Sequence, residues 1–177
     1  MHALQAVVLL AIASAATLPV TASFLLGPPG SADYGAADLG SVRIDWLVAL
    51  FLLLAAVDHL ALSAGRPRRW YERNVARGVN PARWWEYSLS ASLMVVLIAM
   101  LAGVTELVAL VALFGVNASM ILFGLVQERV NLGRERVDWL PFVLGCVVGA
   151  VPWIAIAIQL IVSSTDVAAE RIDSCVA

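Results

Sequence analysis

RWWEYSLSASLMVVLIAMLAGV, residues 83–104, has the length of a membrane span but opens on an arginine, two tryptophans and a glutamate. A run of about 20 predominantly apolar residues crosses the hydrocarbon core of a bilayer as a helix. Asn80 and Pro81 supply its start, because an Asn side chain accepts hydrogen bonds from the free N–H groups of a first turn and Pro suits the first helical position. Counted from there, Glu86 lies about six residues in, roughly 9 Å along the axis at about 1.5 Å per residue. That depth is below the membrane surface, level with the amphipathic rings of Trp84, Trp85 and Tyr87. Two readings of Glu86 stay open on spacing alone. It pairs with Arg83 three residues back, or it faces the bundle interior, with Ser90 one turn on, as the counterion of a buried cation.

The rest of the chain is built alike. With 62% hydrophobic residues, 14% charged residues and a mean hydropathy of +0.90 over 177 residues, it carries more apolar surface than a soluble core of that length buries. Five candidate spans emerge, at residues 3–26, 44–64, 83–104, 106–127 and 138–162. They are joined by a Gly/Pro-rich segment (GPPGSADYGAADLG), an arginine-rich segment (GRPRRWYERNVARGVNP), a tight turn at Gly103 to Glu106 and a polar link (ERVNLGRERVD). The first span lacks a basic leader and exceeds a signal core in length, so it reads as a span. The predicted fold class is all-α, a polytopic transmembrane helix bundle.

The arginines set an orientation. Arg66, Arg68, Arg69, Arg73, Arg77 and Arg83 crowd the second link, and Arg129, Arg134 and Arg136 the fourth, whereas acids dominate the first link and the tail. The basic links are predicted to be cytoplasmic, which places the N-terminus there and the end of the chain on the far side. A net charge of −2 gives no basic excess that would point to nucleic acid.

Polar residues inside the spans are the functional candidates. A lone Asn117 reads as interhelical glue or a ligand contact. Asp58 and His59 are adjacent, point in different directions and each need a partner. His2 reads from its position as a solvated terminal residue. Cys146 and Cys175 are not expected to pair, and Gly145 and Gly149 make a small face that lets two helices approach closely. No P-loop, no GxGxxG after a strand, no HExxH and no close Cys/His set is present, so no soluble-enzyme chemistry and no metal site is predicted. Glu128 and Glu135 read as part of a solvated, arginine-rich interface.

RWWEYSLSASLMVVLIAMLAGV, LFGVNASMILFGLVQE and LPFVLGCVVGAVPWIAIAI together resemble the third, fourth and fifth helices of the heliorhodopsins, retinal-binding membrane proteins of inverted orientation. The likeness extends to HALQAVVLLAIASAATLPVTASFLLGPPG and VALFLLLAAVDH, and so covers the chain to about Val167 as one domain, 1–167, followed by a short polar tail, 168–177. The resemblance implies a seven-helix rhodopsin-like fold, of which five helices are present, in a sensory or regulatory photoreceptor of the plasma membrane rather than a pump. It implies Glu86 as counterion of the protonated retinal Schiff base, a polar proton cluster of His2, His59 and Ser90, and a retinal pocket containing Asn117, Met120, Ile121, Gly124 and Trp153. Gly124 would let the chromophore approach, and Pro152 beside Trp153 otherwise reads as a kink with a packed aromatic. The resemblance further implies all-trans retinal as cofactor, a homodimer through the fourth and fifth helices, and an unidentified signalling partner.

Two departures stand out. An acid at Asp58 is not part of the family pattern. Heliorhodopsins attach retinal through a lysine in the seventh helix, whereas all 11 basic residues here are arginines. A guanidinium stays protonated and cannot supply the neutral amine that Schiff-base formation needs. The sequence is accordingly expected to be an N-terminal portion, ended by a frameshift, premature stop or truncated gene model where STDVA gives way to AERIDSCVA, with a start that leaves almost nothing before His2. The alternative is a non-photochemical five-helix membrane protein that serves as a structural or dimerising partner, with non-covalent binding of a carotenoid or other apolar ligand as a third reading.

Overall fold

Four stretches are long and apolar enough to cross a membrane, Ile44–Ser63, Pro81–Leu101, Leu107–Val130 and Leu140–Thr165, and each is a helix in the computed structural model. Residues 2–13 and 16–176 are described, 166–176 as backbone. In chain order the elements are α1 His2–Ile12, β1 Thr17–Leu25, β2 Tyr34–Arg43, α2 Ile44–Ser63, α3 Gly65–Val75, α4 Pro81–Leu101, α5 Leu107–Val130 and α6 Leu140–Val176. Helix α1 packs on α2, α2 on α4, α4 on α5 and α5 on α6. The outward faces stay apolar, with Val108 70% and Ile154 57% exposed, as suits helices whose solvent is lipid.

The N-terminal end corrects the all-α expectation. The segment expected as one helix over 3–26 is helical to Ile12, and Thr17–Leu25 is a strand paired antiparallel with Tyr34–Arg43. Pro19 explains the change: it has no N–H to give a helix and its ring collides with the preceding turn. Thr17, Val20 and Thr21 around it are β-branched and favour extended backbone. The arginine-rich link likewise contains a helix, α3. Helix α6 continues through the segment expected as a polar tail as far as Val176, while Ala177 and the side chain of Cys175 lie outside what is described.

Helix α4 is closed at both ends as its sequence requires. The Asn80 side chain accepts from the Arg83 N–H at 3.2 Å, with Pro81 at the first position. At the other end Gly103, at φ 99°, turns the chain back in a left-handed conformation open to glycine. The Gly103 N–H donates to the Met100 carbonyl at 3.0 Å and the Val104 N–H to the Ala99 carbonyl at 2.9 Å, which satisfies the last turn.

The hairpin is fastened to that turn. The Thr21 N–H donates to the Thr105 carbonyl at 2.9 Å, and the two threonine hydroxyls meet at 3.1 Å. Both Glu106 oxygens are engaged by Ser23, one by its N–H at 2.7 Å and one by its hydroxyl at 3.0 Å. Val20 is thereby held against Val95, Ala99, Met100, Leu110, Leu113 and Ile156, so the strand caps the core between α4, α5 and α6.

Glu106→Ala removes both acceptors and is expected to cost about 1–2 kcal/mol for two solvent-accessible hydrogen bonds. A lowered thermal midpoint in detergent, with Glu106→Gln intermediate, is the expected result, and an unchanged midpoint in both variants would show that the clasp is not stabilising.

Candidate functional site

Tyr87 contributes to the lining of two cavities of opposite character. One is a polar cavity of about 320 Å³, lined by Asp58, His59, Tyr71, Asn80, Arg83 and Glu86 among others. The other is an apolar groove of about 530 Å³ between α4, α5 and α6, walled by Trp84, Met120, Ile121, Phe123 and Gly124 from one side and by Pro141, Phe142, Cys146 and Ala150 from the other. Tyr87 lines both. Each cavity follows from the local sequence. The first turns of α4 carry the polar and aromatic residues, and α5 and α6 add small residues that leave room between apolar neighbours.

Arg83 does not pair with Glu86. Its guanidinium donates to Glu128 Oε1 at 2.9 Å, and the other Glu128 oxygen accepts from the Asn80 N–H at 2.7 Å. Glu128, at the end of α5, thus receives two donors that converge at the start of α4, and charge-assisted bonds of this kind are short and strong. Arg83 also lies over the Trp84 ring, 4.5 Å from its centroid. Arg83 still lines the cavity, but its ion pair is with Glu128, so the reading in which it pairs directly with Glu86 is corrected. Among the described residues Glu86 is half-buried and no ion pair or hydrogen bond engages its carboxylate. The reading of Glu128 as merely solvated is corrected as well. Nothing local to its position foretold this role, because its partners are 45 and 48 residues away.

The two histidines come together. The His2 and His59 rings meet edge to face with centroids 5.5 Å apart, and His2 bonds Gln5 Oε1 at 3.0 Å through Nδ1. His59 Nδ1 lies 2.8 Å from the Ala55 carbonyl oxygen. A carbonyl only accepts, so this Nδ1 carries the proton and Nε2 remains to take another. Of the pair, His59 reaches the polar cavity beside Glu86 and Asp58. Ser90 is buried at 3% on the same helix, one turn from Glu86, and no hydrogen bond joins the two among the described residues.

The apolar candidates divide. Met120, Ile121 and Gly124 line the groove. Asn117 does not: it is 2% exposed and its Nδ2 donates to Ser92 Oγ at 3.1 Å, which joins α5 to α4 as interhelical glue. Trp153 is 53% exposed and stands off the groove, whereas its neighbour Pro152 is fully buried. Gly124 leaves room not for open space but for the Trp84 indole, since a Cβ built there would lie 2.1 Å from the ring. Gly145 and Gly149 face the Phe123 and Met120 side chains of α5, so the small face of α6 is used within the chain. Trp84 itself was legible only as a belt aromatic, yet its indole N–H is buried in the groove wall without a partner.

A family model described as Heliorhodopsin matches residues 1–171. No curated protein matches the chain.

Gly124→Ala forces the Trp84 ring aside and is expected to destabilise by about 1–3 kcal/mol through overpacking. Gly115, on the same helix with nothing near its absent Cβ, is the control: Gly115→Ala is expected to be neutral or stabilising. Thermal midpoints of the two variants compare them directly, and equal effects would contradict the packing described.

Proposed function

Because the chain belongs to the heliorhodopsin family, we propose that this integral membrane protein is part of a light-sensing, retinal-binding photoreceptor, sensory or regulatory in role, with Glu86 as the anion that balances the chromophore's cation. The single observation that carries this reading is Tyr87 lining both cavities, one holding an acid and a histidine and the other an apolar groove. A long polyene with one cationic end needs that combination. Retinal, when bound, supplies visible absorption and double-bond isomerisation. Trp84, Tyr87, Met120 and Ile121 would hold its apolar length, and Gly124 admits Trp84 into that wall.

The chain's own groups then divide the electrostatic work. Glu128 holds Arg83 and so leaves the Glu86 carboxylate to face the cavity. A half-buried carboxylate that faces a cavity and has no bonded partner is placed to take a ligand cation as its partner. His59 retains Nε2 to accept a proton while its Nδ1 is tied to Ala55, and His2 packs against it to complete the polar cluster. The reading implies a plasma-membrane setting with the N-terminus cytoplasmic. It implies a homodimer on outward faces of α5 and α6, since the Gly145 and Gly149 face is already occupied.

None of the 177 residues is a lysine, so these residues by themselves provide no amine for a covalent link. That composition also favours a second reading, a non-photochemical membrane protein acting as a structural or dimerising partner.

Titrating the full chain in nanodiscs with all-trans retinal distinguishes the two. The photoreceptor reading expects saturable quenching of tryptophan fluorescence that organic extraction reverses and that Cys146→Phe, which fills the groove, weakens about tenfold or more, the scale of an overpacked site. Absence of saturable quenching in the unaltered chain, or quenching indifferent to Cys146→Phe, would sink it. A visible band that survives washing would contradict the argument from lysine.

A further inference from the structure

Helix α3 begins one residue after α2 ends: Ser63 closes the membrane-spanning helix, Ala64 is extended at φ −148°, and Gly65 starts the next. The first turn of α3 therefore lies at the depth where the span leaves the hydrocarbon. Its sequence, GRPRRWYERNV, divides into two faces at about 100° per residue. Pro67, Tyr71 and Val75, four residues apart, form one face, and Tyr71 turns inward to line the polar cavity beside Glu86. Arg66, Arg69 and Arg73 occupy the opposite face.

Those three arginines, with Trp70, line a broad surface hollow of about 780 Å³. Glu72 shares that hollow, but its Oε1 accepts from Arg68 at 2.8 Å. Arg73 spends its Nε on the Arg69 carbonyl at 3.2 Å, and no hydrogen bond engages its terminal nitrogens among the described residues. No acid pairs with Arg66, Arg69 or Arg73 among the described residues. Trp70 is 41% exposed at the edge of this cationic face, the position an amphipathic ring takes at a headgroup boundary.

We infer that α3 is an interfacial helix whose Arg66, Arg69 and Arg73 face binds the phosphate headgroups of anionic phospholipids in the leaflet at this end of the bundle. Charge complementarity selects the occupant. Three guanidiniums on one helical face present planar donors suited to phosphate oxygens, and each basic residue near an anionic surface adds to binding. The short connection to α2 keeps the face within reach of that leaflet. Tyr71 on the opposite face couples the helix to the Glu86 cavity, so lipid occupancy at the surface bears on the same helix that closes the cavity.

The test places the full chain in nanodiscs of equal parts phosphatidylcholine and phosphatidylglycerol and counts, by mass spectrometry, the lipids that remain after mild delipidation. Phosphatidylglycerol is expected to be retained in preference. Arg69→Gln with Arg73→Gln should lower that preference by about fivefold per arginine. Arg69→Lys with Arg73→Lys, which keeps the charge, should retain most of it. Arg134→Gln with Arg136→Gln, in the link between α5 and α6 at the same end, serves as the comparison for net charge and should lower it by clearly less; an equal loss would assign the preference to overall charge rather than to this face and overturn the proposal. Equal retention of both lipids by the unaltered chain would leave this face to a soluble protein partner and overturn the proposal. So would a preference that survives the Arg69 and Arg73 glutamines. Binding of inorganic phosphate in phosphatidylcholine alone, with the same arginine dependence, would reassign the face to a soluble anion and overturn it too.

Discussion

Hydrocarbon offers no partner to a peptide N–H or C=O, and this constraint shapes the molecule from end to end. The four long apolar stretches meet it as helices, whose backbone groups bond along their own segment. Helix ends cannot meet it that way, because the first N–H groups and last carbonyls have no partner in the helix. The structure concentrates its specific chemistry at those ends. Asn80 and Pro81 close the start of α4, Gly103 and Val104 close its finish, and the β-hairpin pairs its own strands where the chain leaves the bundle.

Two carboxylates at the ends of α5 fasten neighbouring elements, one the hairpin and the other the start of α4. Glu106 at the start of α5 holds the hairpin through Ser23, which presses Val20 into the core. Glu128 at the end of α5 holds Arg83 and Asn80 at the start of α4. With these two ends fixed, the Trp84 indole settles into the space left by Gly124, and Tyr87 lines both a polar cavity and an apolar groove. Glu128 also decides the electrostatics. By pairing with Arg83 it leaves Glu86, which lines the cavity with His59, Asp58 and Arg83 itself, without a direct ion pair among the described residues.

Much of this was legible in the sequence. Runs of apolar residues gave α2, α4, α5 and α6, since partition into lipid depends on composition over about 20 residues and little else. Asn80 with Pro81 gave the start of α4 because a cap acts within one turn. Gly103 marked the tight turn for the same reason. Asn117 was open between interhelical glue and a ligand contact, and its buried bond to Ser92 joins α5 to α4. The first span shows how hydropathy misleads. Residues 3–26 are apolar enough to span, but Pro19 and the β-branched residues around it set the backbone preference, and an antiparallel partner at Tyr34–Arg43 was available to satisfy it.

The sequence by itself therefore determined that the protein lives in a membrane, that four of its stretches are long and apolar enough to cross it, where α4 begins and ends, and that the arginines gather on the links at one side. It also carried the family resemblance, since runs of matching residues need no coordinates. Only the tertiary structure decided which acid Arg83 engages, which side chain fills the space at Gly124, that Gly145 and Gly149 serve contacts within the chain, and that Trp153 stands apart from the groove. The physical reason is range. Partition, caps and turns are set within a few residues of each other, whereas an ion pair 45 residues apart or a ring seated on a neighbouring helix exists only once the helices have taken their places side by side.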